Sequence, residues 1–297
     1  MDSPQAVLAR ILARSPLWAL LPNRMSMLTL GLANMPDVFD MSWEAAKPSV
    51  TGKTGNKMMT IPITGVLTKD GPSWLGNNYD SIADAAEKAA ADPDVKRIVL
   101  SVDSPGGEVT GLPETAAVLA SVAKVKPVSA MVEGISASAA YWLTSQSQDI
   151  TLAPSGEVGS VGVRMMHADI SKMLEDAGVK ITEMYSGDFK TEWSPYKPLT
   201  EDAQADMQKR LTAVHQDFID SVSNGRGNRT TEDIKKARFG EGRMFSATDA
   251  MTHGLVDKVT SPREYYRAIT PPVEQEVSAP AFGLPRRARL EVEKHRF

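Results

Sequence analysis

The strongest constraint on this chain is a regular exchange, from Met58 to Val132, between short β-branched runs and segments whose apolar residues recur at helical spacing. Met59-Thr60-Ile61-Pro62-Ile63-Thr64-Gly65-Val66-Leu67 has strand composition, and residues 79–91 then repeat apolar positions along one helical face. Asp92-Pro93-Asp94 stops that helix, because the residue before a proline avoids the helical region. Residues 97–102 read as a buried parallel strand. The same pattern predicts a helix over 112–124, a strand over 128–132, a helix from about Ser138 and a strand over 149–153. After Val161-Gly162-Val163 come a helix over 170–177, a strand over 180–184 and a long helix over 200–223, opened by Thr200-Glu201-Asp202-Ala203. Strands joined by helices of this length need crossover connections, so the expected class is α/β with a largely parallel sheet.

The flanks have a different character. Residues 1–56 read as an N-terminal extension, with one short amphipathic helix over 6–12, Met-rich irregular sequence and a polar linker over 48–56. The core is expected to span residues 57–260. Beyond Ser261 the chain is rich in proline and ends near Arg286-Arg287-Ala288-Arg289, so residues 261–297 read as a mobile tail. Both flanks are expected substrates for self-trimming. The apolar piece Pro16-Leu17-Trp18-Ala19-Leu20-Leu21-Pro22 resembles the core of a secretion signal, but its prolines break a helix and no small-x-small cleavage site follows. No run reaches the ~18 apolar residues of a membrane span.

Composition narrows the chemistry. With 33 Lys+Arg against 37 Asp+Glu the formal charge is −4, which argues against nucleic acid as a partner. The chain has no cysteine, so a covalent nucleophile must be oxygen or nitrogen. His167, His215, His253 and His295 are too dispersed to suggest a helical metal-ligand pair, and no metal or other cofactor is expected.

Two junctions could carry chemistry. Asp103-Ser104-Pro105-Gly106-Gly107 follows a predicted strand and precedes a predicted helix, where free backbone N–H groups can bind a developing oxyanion; an ordinary glycine turn gives the same pattern. Gly134-Ile135-Ser136-Ala137-Ser138-Ala139-Ala140-Tyr141-Trp142 puts a serine at a helix start, as either a reactive oxygen or a capping residue. A base for that serine could be His167, oriented by Asp169, or a desolvated lysine such as Lys190 among the aromatic residues of Tyr185–Pro195.

The order of the motifs Ser-Pro-Gly-Gly, Ser-Ala-Ser-Ala-Ala-Tyr-Trp, Gly-Ser-Val-Gly-Val and Tyr-Ser-Gly-x-x-Lys resembles the signal peptide peptidase A family of serine-lysine proteases over residues 58–260. Residues 185–199 and the extension look most like the lambda-type phage capsid assembly (prohead maturation) proteases. The resemblance implies a Clp/crotonase-type α/β fold with repeated ββα units and a ring-shaped homo-oligomer. It also implies Ser138 as nucleophile, Lys190 as general base and Ser160 as the group that orients that lysine. The N–H groups of Gly106 and Ala139 would form the oxyanion hole, with Gly107 an alternative to Gly106; Ser136 and Lys197 are the rival nucleophile and base. Ala139-Ala140 departs from the glycines that often follow the family serine. The implied substrates are capsid, scaffold or portal proteins, cut inside an assembling procapsid in the host cytoplasm. A cytoplasmic bacterial peptidase, a crotonase-type acyl-CoA enzyme and a non-catalytic capsid or portal partner are the alternatives.

Overall fold

A computed structural model of the protein describes residues 17–20, 45–73, 75–227 and 241–270. The expected helix over 6–12 and the tail beyond residue 270 lie outside the described residues. The strand–helix alternation is present. In chain order the elements are β1 (Leu17–Leu20), β2 (Ser49–Lys53), β3 (Asn56–Leu67), α1 (Tyr79–Ala91), β4 (Val95–Glu108), α2 (Leu112–Ala123), β5 (Val128–Ala137) and α3 (Ala139–Thr144). They continue as β6 (Asp149–Leu152), β7 (Glu157–Gly159), β8 (Arg164–Met165), α4 (Ser171–Asp176), α5 (Glu201–Arg226), β9 (Met244–Ser246), α6 (Ala247–Thr252), β10 (Lys258–Val259) and α7 (Pro262–Ile269).

The central strands are parallel, with β3 paired to β4, β4 to β5, β5 to β6 and β6 to β10. Side-chain alternation sends Ile61, Ile63, Ile98, Leu100, Ala130 and Val132 into one core, under α1 and α2. Met58, Val99 and Met131 point to the other face and pack with Tyr265 of α7. Both faces of the sheet are therefore covered, which is why its strands read as continuous apolar runs.

Helix α1 begins where Asn78 accepts from the N–H of Ser81 (2.8 Å), and it ends before Pro93. Thr200 caps α5 by accepting from Ala203 N–H, and that helix runs three residues further than its apolar spacing indicates.

Three expectations need correction. The Asp103–Gly107 motif is not a strand-to-helix turn: β4 runs through it to Glu108, with a register shift between Val102 and Ser104. Residues 180–184 form no strand and are exposed, so Ile181 and Met184 face solvent rather than a sheet. The ordered chain also extends past Val259. A capping box, in which Ser261 and Glu264 satisfy each other's backbone N–H groups, starts α7 at Pro262 and buries Tyr265. Among the described residues no helix is long and apolar enough to cross a membrane.

Candidate active site

Where β5 ends, its pairing on the edge away from β4 passes from β6 to β7, and Ala137 lies opposite Gly159 in that parallel ladder. The residues that follow, Ser138 and Ser160, are thereby held side by side. They are also the two non-glycine residues with positive φ among the described residues, at 54° and 53°. L-residues avoid this region, and such strain persists only where the surroundings over-determine it, most often at functional sites. Here the restraints are visible. Ser138 N–H donates to the Gly159 carbonyl (2.8 Å), and Ser160 N–H donates to the Arg243 carbonyl (2.6 Å).

Ser138 occupies the cap position of α3, but its side chain makes no capping hydrogen bond. Its Oγ instead donates to the Gly162 carbonyl at 3.3 Å, a long contact that leaves the hydroxyl weakly committed. The capping reading of this serine is thus removed. Ala139 opens the helix, so its N–H has no intrahelical acceptor.

The register Ser104 opposite Ser136 brings Gly106 to the level of Ser138. Each residue of the motif around it has a distinct structural task. Asp103 accepts from Ile135 N–H (3.1 Å), and Gly134 leaves room for that carboxylate, since a Cβ there would lie 2.6 Å from Asp103 Oδ1. Ser104 Oγ donates to the Gly65 carbonyl (2.7 Å) and accepts from Gly106 N–H (3.2 Å). Gly106 has φ 100°, and a Cβ on Gly107 would meet the Leu67 carbonyl oxygen at 1.8 Å. Both glycines are thus required by backbone geometry before any catalytic demand.

The rivals fare differently. Ser136 is fully buried and its Oγ lies 3.0 Å from Thr144 Oγ1, so it is a packing hydrogen bond. Lys197 Nζ donates to Thr191 Oγ1 (2.7 Å) and lies over the Tyr185 ring. His167 Nε2 lies 3.0 Å from the Ser194 carbonyl, and Asp169 accepts from Ser171 N–H (2.9 Å). Those hydrogen bonds from Ser171, more than the nearby His167, hold the Asp169 carboxyl below its ordinary range. The aspartate is a local turn cap rather than the orienting member of a histidine triad. His215 lies within α5, and the ring of His253 packs edge-on against Phe245.

Lys190 is not brought to Ser138 within the single chain. It is exposed, and its ammonium makes no hydrogen bond or ion pair among the described residues. Its segment also exposes Met184 (93%) and Phe189 (75%). One contributor escaped the sequence pattern altogether: β1, whose four residues carry no period, pairs with Gly106, Gly107 and Glu108. The proline-bounded apolar run over 16–22 was the only trace of it.

Two strained serines thus stand at the end of a parallel strand, beside the first N–H of α3. The model of peptidase family S49 matches residues 120–274, just over half of the chain, and the protein belongs to that family. Its strand–helix units build a mixed α/β fold on a largely parallel central sheet. Capsid assembly protease C of Escherichia phage lambda is 31% identical over 210 residues, covering 69% of this chain and 47% of that protein. Protease 4 of Salmonella typhi is 33% identical over 208 residues, covering 69% of this chain and 33% of its own length. The chain therefore spans half or less of these relatives. Among solved structures, an enoyl-CoA hydratase/isomerase from Marinobacter aquaeolei is similar at 11% identity and a TM-score of 0.44, covering 75% of this chain and 73% of that one.

Proposed function

We propose that the protein is a serine endopeptidase with Ser138 as nucleophile and Lys190 as general base. The observation that carries this reading is the strained, adjacent pair Ser138 and Ser160, with α3 starting directly after Ser138. Neutral Lys190 takes the Ser138 proton as Oγ attacks a peptide carbonyl, the amides of Gly106 and Ala139 stabilise the oxyanion, and the lysine then protonates the leaving amine. Ser160 orients the lysine, and water hydrolyses the acyl-enzyme. Nothing in this scheme calls for a cofactor.

In one chain Lys190 is exposed and Ser138 buried, so the dyad needs assembly to close it. A ring of identical copies would cover the apolar side chains around Lys190 and deliver its ammonium to a neighbouring site. The likeness to a phage capsid assembly protease supports capsid, scaffold or portal proteins as substrates and the procapsid, in the host cytoplasm, as the setting.

Hydrolysis of a fluorogenic peptide by Ser138→Ala, Lys190→Ala and an equimolar mixture of the two tests the scheme. Each variant should lose at least ~10³-fold in rate, since the two groups act as one unit. The mixture should recover activity, because some interfaces then pair an intact serine with an intact lysine. Full activity in Lys190→Ala together with its loss in His167→Gln would replace the lysine by the histidine.

A further inference from the structure

The peptide-binding edge beside the candidate nucleophile is taken up by the chain itself. Strand β1 runs antiparallel to β4, with Trp18 opposite Glu108, Ala19 opposite Gly107 and Leu20 opposite Gly106. On its other side it runs antiparallel to β8, with Leu17 opposite Met165 and Trp18 opposite Arg164. Strands β4 and β8 are joined through β1, so a four-residue segment fills a slot between two strands.

Which edge of β4 this is can be deduced. Gly106 and Gly107 also pair with Val66 and Leu67 of β3, so β1 must lie on the opposite edge. That is the edge β5 occupies up to Ser136, opposite Ser104, before it turns away into Ser138. Strand β1 thus begins on β4 where β5 leaves off. It runs toward the departing strand, which brings its Leu20 end to the junction where Ser138 stands. Trp18, two residues earlier, is only 4% exposed and anchors the segment. Strand addition of this kind supplies affinity through main-chain hydrogen bonds and register through a buried side chain.

We propose that residues 17–20 are a bound substrate strand and that the first bond the enzyme cuts is its own Leu20–Leu21 peptide bond. The inference rests on Ser138 being the nucleophile. In the step, Oγ of Ser138 bonds to the Leu20 carbonyl carbon, the carbon–nitrogen bond to Leu21 breaks, and the serine proton passes through the base to the Leu21 amine. Water then cleaves the Leu20 ester, regenerating Ser138 and releasing residues 1–20. Once released, the first product empties the slot between β4 and β8 for other extended peptides. Those carrying an aromatic residue at the third position before the scissile bond are preferred. Because the strand is already seated, self-cleavage precedes any trimming of more remote flanking sequence.

The test is intact-mass analysis and N-terminal sequencing of the full chain after incubation, for wild type, Ser138→Ala and Trp18→Ala. Casein hydrolysis and labelling by a fluorophosphonate are measured on the same samples. The expected result is a wild-type chain beginning at Leu21, an untrimmed Ser138→Ala chain, and cleavage slowed by at least about tenfold in Trp18→Ala, since burial of a large aromatic anchor is lost. Wild-type protein that hydrolyses casein and labels at Ser138, yet keeps residues 1–20 or is cut at another bond, overturns this proposal and leaves the protease reading standing. Absence of both casein hydrolysis and Ser138-dependent labelling overturns the two together.

Discussion

Replacing Ser138, the proposed nucleophile, by glycine should make the protein more stable than replacing it by alanine, although neither variant should be active. Ser138 sits at φ 54°, ψ −120°, the first central position of a type II′ turn, which glycine dominates. Holding an L-residue there costs up to about 3 kcal/mol. Glycine relieves that strain but gives back about 1 kcal/mol in unfolded-chain entropy and, at a site 1% exposed, about 0.8 kcal/mol from the lost methyl group. The net advantage of Ser138→Gly over Ser138→Ala is about 1 kcal/mol. Both variants lose the 3.3 Å hydrogen bond to Gly162, so alanine is the fair reference. For a core of this size the difference is about 2–4 °C in Tm, measured by circular dichroism at fixed protein concentration. A glycine variant that melts at or below the alanine variant would show that the turn is not strained and would remove the main physical argument for this site.

Two further predictions concern the scaffold. Arg226 is buried at the end of α5, where Nη2 contacts Asp257 (2.9 Å), so Arg226→Ala should cost about 3 kcal/mol in urea unfolding. That is the low end for a broken buried pair, because Asp257 still accepts from Ile150 N–H; a loss below about 1 kcal/mol would mean the pair is effectively hydrated. Hydrogen bonds from Thr260 and Ser261 hold the Glu264 carboxyl below its ordinary range, so its contribution to α7 is complete above the unfolded-state value and is lost as pH falls through the lowered folded one. Amide protection factors at Tyr265 and Tyr266, corrected for the intrinsic pH dependence of exchange, should therefore fall in acid in wild type but not in Glu264→Gln, and equal acid sensitivity in the two would exclude the carboxylate as the cause.

Helix α1 was readable to the residue because every signal coincides: a cap at Asn78, five buried apolar positions on one face, and Pro93. Strand β4 was read too short because Pro105, Gly106 and Gly107 are turn formers by composition. Here they are required by a positive φ and by the nearness of Leu67. Residues 180–184 misled in the opposite way, with Ile181 and Met184 in a segment that no neighbour covers. At the site, the serines were legible as small residues at junctions, whereas their strain is set by Gly159 and Arg243, remote in sequence. The Pro-rich character of the flank hid the Ser261–Glu264 box, and β1 is too short for any period to register.

The bracing of α3 has a consequence for the order in which the molecule is made. Tyr141, in the helix that follows the nucleophile, donates its hydroxyl to the Leu255 carbonyl, 114 residues later, and β10 joins the sheet only at Lys258. Contacts so distant in sequence form late, since a long loop must close first. During synthesis, Ser138 leaves the ribosome more than a hundred residues before its supporting helix gains this anchor. The nascent chain carries Ser138 long before it carries a firm seat for it.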